Sequence, residues 1–300
     1  MNRRKSLTTL ASLSAIPFFT NMIKGQSLLQ RTIPSTGEKI AAIGVGTWQT
    51  FNVGQGEAER KPLIEVLQKM VEMGSTAIDS SPMYGNSEGV VGELSSEAGV
   101  NNKLFIATKV WTSGEAQGIQ QMNKSFGLLK RKQIDLMQVH NLVDWQTHMK
   151  TLRQWKEEGK IRYIGITHYT DSTHSTLADI IKNNPIDFVQ VNYNLLDWNA
   201  EKELFPTAID RKVAVIINRP FEEGALFRRV AGKELPAWAA DFDCKSWAQF
   251  FLKFILSHPA VTCAIPGTSK ITHLVDNLGA AMGKLPDESQ RNKMKDYFRS

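Results

Sequence analysis

Cysteine is nearly absent from this 300-residue sequence: Cys244 and Cys263 are the two it has, and neither belongs to a Cys-x-x-Cys pair or a Cys/His cluster. A structural zinc site is therefore not expected. Cys263 lies in the apolar run Val-Thr-Cys-Ala-Ile-Pro, the pattern of a buried strand in which cysteine acts as a small hydrophobe. A disulfide between the two stays open at this level. Long apolar runs are missing as well. The weakly apolar stretch at residues 7–19 is diluted by Ser and Thr and falls well short of the about 20 residues that span a bilayer core, so no stable membrane anchor is expected. There is also little charge of one sign. The 36 basic and 30 acidic residues give +6, but Arg3, Arg4, Lys5 and Lys24 fall in the first 26 residues with no acid among them. The remainder holds 32 basic against 30 acidic residues, a near-neutral balance that offers nothing to a nucleic acid.

The head of the chain reads as an address. Arg3-Arg4-Lys5 precede the apolar stretch, which opens at Leu7 and is broken by Pro17. Paired arginines ahead of a short apolar segment resemble a twin-arginine export signal. Residues 1–26 are thus expected to be a signal engaging an export machinery, with residues 27–300 as one domain and the periplasm as destination. The other reading is a frayed basic end on a cytoplasmic protein.

What the rest contains is a repeat of form. Runs rich in Ile, Val and Phe recur at 42–48, 76–80, 104–111, 134–140, 163–168, 187–192, 214–218 and 261–265, as expected for strands buried on both faces. Helical spacing lies between them. Leu63, Val66, Leu67, Met70 and Val71 share one face, as do Trp247, Phe250, Phe251 and Phe254, while the segment from 172 stops at Asn183-Asn184-Pro185. The polar residues at the run ends, Thr47, Asp79, Lys109, His140, Thr167, Gln190, Asn218 and Gly267, are spaced by 32, 30, 31, 27, 23, 28 and 49 residues. About 30 residues make one βα unit, and eight units close a parallel barrel. The rival is a doubly wound open sheet, but no Gly-x-Gly-x-x-Gly follows the first run. The expected fold is a single (β/α)8 TIM barrel. A hairpin at 31–40 is expected to close its bottom, and a long loop at 221–243, after strand seven, to cover its mouth.

In such barrels the chemistry sits at the strand C-termini. Asp79, Tyr84, Lys109 and His140 therefore converge on one rim. A phenol has an ordinary pKa near 10, and a neighbouring ammonium favours its ionised form, which is expected to lower that value and make Tyr84 a general acid toward a carbonyl oxygen. Asp79 is expected to hold the Lys109 ammonium, and His140 to orient the carbonyl by a hydrogen bond.

The segments Asp-Ser-Ser-Pro-Met-Tyr-Gly at 79–85, Ala-Thr-Lys at 107–109, Gln-Val-His at 138–140, Gly-Lys-Ile-Arg-Tyr-Ile-Gly-Ile at 159–166, Val-Gln-Val-Asn-Tyr at 189–193 and Ile-Pro-Gly-Thr at 265–268 closely resemble the motifs of the aldo-keto reductase superfamily. The resemblance covers about residues 36–280. It implies a catalytic tetrad of Asp79, Tyr84, Lys109 and His140, and hydride transfer from a reduced nicotinamide cofactor to an aldehyde or ketone without a metal. It places the cofactor near Gly46, Thr47, Thr167, His168, Gln190, Asn218, Arg219, Pro220, Phe221, Thr268, Ser269, Lys270, His273 and Asn277. Thr167-His168 stands where many relatives have Ser-Asn, and Asn218 where many have a tyrosine that stacks on the nicotinamide. The residues from Arg219 to Leu226 are expected over the diphosphate. Thr268-Ser269-Lys270 opens a helix whose N–H groups attract phosphate. Lys270 points to NADPH before NADH, although His273 stands where NADPH-specific relatives often have arginine. Trp48 and Trp111 are expected to wall the substrate pocket, and Leu235, Pro236, Trp238 and Phe242 to close it.

Two other classes of function stay in view. One is a nucleotide-binding barrel with little turnover, serving as a redox sensor or accessory subunit. The other is an aldolase-like barrel in which Lys109 forms a Schiff base, disfavoured because an ion-paired lysine is a poor nucleophile.

Overall fold

A computed structural model describes residues 27–299. The export address read at residues 1–26 lies outside the described residues. Strands β1 (Gln30–Thr32) and β2 (Lys39–Ala41) form an antiparallel hairpin. Eight parallel strands follow: β3 (Val45–Gly46), β4 (Ala77–Asp79), β5 (Phe105–Val110), β6 (Ile134–His140), β7 (Ile161–Thr167), β8 (Phe188–Asn192), β9 (Ala214–Asn218) and β10 (Val261–Ala264). Each pairs with its neighbour in chain order, and bridges from Ile43 to Ala264 and from Gly46 to Gly267 join the first edge to the last. The sheet is thus a barrel. Around it run α1 (Glu57–Glu72), α2 (Ser87–Glu97), α3 (Glu115–Leu128), α4 (Trp145–Glu157), α5 (His174–Asn183), α6 (Leu204–Asp210), α7 (Ala225–Arg229), α8 (Trp247–Leu256), α9 (Ile271–Gly279) and α10 (Glu288–Arg299).

Two cores hold this together. The larger lies between strands and helices, and includes the expected α1 residues Leu63, Val66, Leu67 and Met70. The smaller fills the barrel, where Phe105, Tyr163 and Phe188 meet with ring centroids 5.3–6.1 Å apart. Ile33 and Ile40 of the hairpin belong to that inner cluster and plug its floor, and the Tyr163 hydroxyl donates to Glu38 in the hairpin turn. Cys263 sits in the inner cluster and Cys244 in the outer one; both are free thiols, held protonated because burial raises each above its usual range.

Strand one is shorter than its apolar run at 42–48 suggests. It passes so close to its neighbours that a Cβ on Gly44 would meet the Ala77 carbonyl oxygen at 2.5 Å, and one on Gly46 the Ile265 oxygen at 2.8 Å. The chain then turns where the Thr47 N–H donates to the Asp79 carbonyl. The expected loop at 221–243 also differs. It holds α7 and two 3-10 segments, Glu222–Gly224 and Ala237–Phe242. Its Trp238 packs on Phe250 of α8 and Tyr297 of α10, Phe242 is fully buried against Phe250, and Leu235 packs on the outer core. Leu235, Trp238 and Phe242 are thus held against the outer core by α8 and α10. The reason lies in α8, which buries every residue from Gln249 to Leu256 and so needs cover on both sides.

Candidate active site

Parallel strands bring all their C-terminal ends to one rim. Asp79 ends β4, Lys109 lies one residue before the end of β5, and His140 ends β6. Tyr84 follows in the loop after β4, where its N–H donates to the Ser81 carbonyl at 3.0 Å. The four expected residues are together. The Lys109 ammonium donates at 2.6 Å to Asp79 Oδ2 and at 2.6 Å to the Ser80 carbonyl, and stands 5.0 Å from the Tyr84 ring centre. The rings of Tyr84 and His140 meet edge to face at 5.8 Å, and Trp111 lies 6.4 Å beyond His140.

Charge is organised from below. Lys109 is 0% exposed, and burial pulls its pKa down; Asp79 and Tyr84 outweigh that and hold it above the ordinary lysine value. Asp79 Oδ1 accepts the side-chain amides of Gln138 at 3.1 Å and Gln190 at 2.9 Å, so both carboxylate oxygens have donors. A lysine in this state is a poor nucleophile, which removes the chemical basis for a Schiff base. Tyr84 departs from the expected direction. Burial raises its pKa, and the lowering pull of Lys109 does not overcome that. The phenol is therefore a proton reservoir that stays filled at neutral pH. His140 is held neutral, its pKa brought down to about 3 by burial, Lys109 and His168.

The outer ring of expected residues is more varied. Trp48 and Trp111 are 43% and 41% exposed, so both present open faces instead of packing into the helix layer. Gln121 clasps Trp111 from both sides: its Oε1 accepts the Trp111 N–H at 2.6 Å and its Nε2 donates to the Trp111 carbonyl at 3.1 Å. Thr47 is fully buried and its hydroxyl donates to the Asp79 carbonyl, a strut beneath the acid, beside buried Gly46. Gln190 is committed at both ends of its amide, to Asp79 and to the Thr167 hydroxyl. Asn218 donates to the His168 carbonyl at 3.1 Å, while its Oδ1 is buried with no partner among the described residues. The Arg219 Nε is likewise buried and unpaired, although its Nη2 bonds Glu222 at 2.6 Å and Glu223 lies at 3.3 Å. Pro220 is buried, and the Phe221 ring turns away onto Phe251 of α8 at 6.3 Å.

At the start of α9, Lys270 is the N-cap with no side-chain cap bond, and its N–H donates to the Thr268 hydroxyl at 3.1 Å. Ser269 is half-buried, Lys270 and His273 are exposed, and Asn277 is buried. An unpartnered acceptor at Asn218 and an unpartnered donor at Arg219 lie at the end of β9, and an uncapped helix start follows β10, groups whose chemistry suits an amide and phosphate oxygens. No group of three or more metal-ligating side chains exists among the described residues. Sequence reading did not single out Ser81, Gln121, Glu222 or Glu223. Only Ser81 had a signal, its place inside the 79–85 motif.

Comparison with known proteins agrees with this geometry. The model of the Aldo/keto reductase family matches residues 42–293. The chain is 27% identical over 256 residues to "Methylglyoxal reductase YeaE" of Escherichia coli, covering 83% of this chain and 88% of that protein. It is 28% identical over 201 residues to "Aldo-keto reductase YhdN" of Bacillus subtilis, a match that spans 62% of this chain and 60% of the relative. An aldo/keto reductase from Klebsiella pneumoniae, solved with NADP and acetate, superposes with a TM-score of 0.77 at 22% identity, over 90% of this chain and 96% of that one. With a family model that covers most of its length and a tetrad assembled on one barrel rim, this chain belongs to the aldo/keto reductase family.

Proposed function

We propose that this chain reduces an aldehyde or ketone to an alcohol with NADPH, and less readily with NADH. The observation that carries the reading is the buried Lys109, charged by Asp79 and set beneath a protonated Tyr84. Tyr84 Oη holds the proton that the carbonyl oxygen needs as it becomes an alcohol, and the ammonium stabilises the phenolate left behind. His140, neutral, donates a hydrogen bond to the same oxygen and orients it. The indoles of Trp48 and Trp111 wall the pocket and exclude water from it. When bound, a reduced nicotinamide supplies the hydride. The Asn218 acceptor would suit its amide, the Arg219 donor and the backbone of 219–226 its diphosphate, and Thr268, Ser269 and Lys270 at the start of α9 its phosphates.

Support for the cofactor comes from the Klebsiella relative, which holds NADP, and for the substrate class from the Escherichia coli relative named as a methylglyoxal reductase. Fluorescence titration with NADPH and NADH in parallel, followed by turnover on an aldehyde panel, tests the reading. NADPH is expected to bind about tenfold tighter, the worth of about 1.4 kcal/mol for one charge-assisted phosphate contact at Lys270. Equal affinities would end the role of Lys270. Binding without turnover would favour an accessory nucleotide sensor, and binding of neither would end the oxidoreductase reading.

The same proposal extends to location. Arg3-Arg4 ahead of the apolar segment supports export to the periplasm after folding. Changing both to lysine is expected to leave the protein in the cytoplasmic fraction; an unchanged distribution between compartments would overturn export.

A further inference from the structure

Among the described residues, the ring of His140 has one hydrogen-bond partner, the Ser81 hydroxyl, 3.0 Å from Nδ1. Ser81 is fully buried in the loop after β4. Its Oγ already accepts the Met83 N–H at 3.3 Å. The hydroxyl proton finds no other acceptor among the described residues, and a buried O–H without one is rarely tolerated. Its direction is therefore set toward His140.

We propose that Ser81 is a positioning residue: it donates to Nδ1 of His140, fixes the neutral ring with its proton on Nε2, and so aims an N–H at the substrate carbonyl oxygen. This rests on the reading of the chain as a carbonyl reductase. A neutral imidazole has one donor and one acceptor nitrogen, and the bond at one decides the other. With the opposite tautomer, Nε2 would present a lone pair to a carbonyl oxygen, two acceptors face to face. The depressed His140 pKa, about 3, keeps a second proton from erasing the choice. Ser81 also binds Tyr84, since its carbonyl accepts the Tyr84 N–H at 3.0 Å. One residue thus ties the proton donor and the orienting imidazole to a common support.

Nitrogen NMR of the histidine rings in the full chain reads the tautomer directly, with the His140 signals assigned by their loss in His140→Asn. The parent is expected to show an unprotonated Nδ1 and a protonated Nε2. Ser81→Ala is expected to show both tautomers in exchange, with kcat/KM for an aldehyde lower by about 3- to 10-fold and the Kd for NADPH unchanged. A protonated Nδ1 in the parent would overturn the proposal, as would a Ser81→Ala protein that keeps both its single tautomer and its kcat/KM. The parent spectrum depends neither on the variant folding nor on turnover. The expected tautomer in a protein that reduces no carbonyl would support the Ser81 bond and overturn the reductase reading alone.

Discussion

Tyr84→Phe is expected to lower kcat/KM for carbonyl reduction by roughly 10² to 10⁴, the range that a positioned general acid supplies. The ring keeps its contact with His140, since the edge-to-face geometry at 5.8 Å needs no hydroxyl. Cofactor affinity should stay at the parent value, because the phenol meets the substrate oxygen and not the nucleotide. The pH profile carries the same prediction. Tyr84 acts in its protonated form and burial raises its pKa, so the rate should hold through the neutral range and fall only as pH rises past the ordinary phenol value. His140 adds no acid limb there, because its pKa of about 3 keeps it neutral. A variant rate within about twofold of the parent, far outside the range for general acid catalysis, would sink this mechanism.

Lys109→Met should be damaging twice over. Removing one partner of a buried ion pair leaves the other charge uncompensated, at a typical cost of about 3–5 kcal/mol. Asp79 retains the amides of Gln138 and Gln190, which places the loss near about 3 kcal/mol, readable in a denaturant titration. Turnover should fall as well, since the phenolate formed when Tyr84 gives up its proton loses its stabilising ammonium. The double variant Tyr84→Phe with Lys109→Met should be close in rate to the worse single one, because both act through one proton transfer. Fully additive losses, or a Lys109→Met protein as stable as the parent, would contradict this coupling.

A buried salt bridge is in general weak evidence for stability, since two charges must lose their water. Here the pair lies at 2.6 Å with neither side chain more than 4% exposed, directly beneath the phenol. Its physical effect is to keep a full positive charge in a low-dielectric site, where it acts on Tyr84 far more strongly than it would in water.

The barrel was legible in the sequence because parallel strands buried on both faces must be continuously apolar, and because eight such runs recur at the spacing of one βα unit. The fold sends every strand end to one rim, which made Asp79, Lys109 and His140 candidates by position, and the resemblance of the 79–85, 107–109 and 138–140 motifs to the aldo-keto reductases singled them out with Tyr84 as a tetrad. Tertiary structure decided what depends on burial and direction. The apolar residues of 221–243 pack on α8 because that helix buries every residue from Gln249 to Leu256, a fact about its neighbours that its own period does not contain. The pKa of Tyr84 moved up and not down because desolvation outweighs the ammonium, and desolvation belongs to the assembled rim. The hydroxyl of Ser81 faces His140 across 59 residues of chain, and the Gln121 amide grips the Trp111 backbone across ten. Sequence determined which strands form and which polar groups end them; packing determined which way each of those groups points, because side-chain direction is set by the neighbours that fill the space around it.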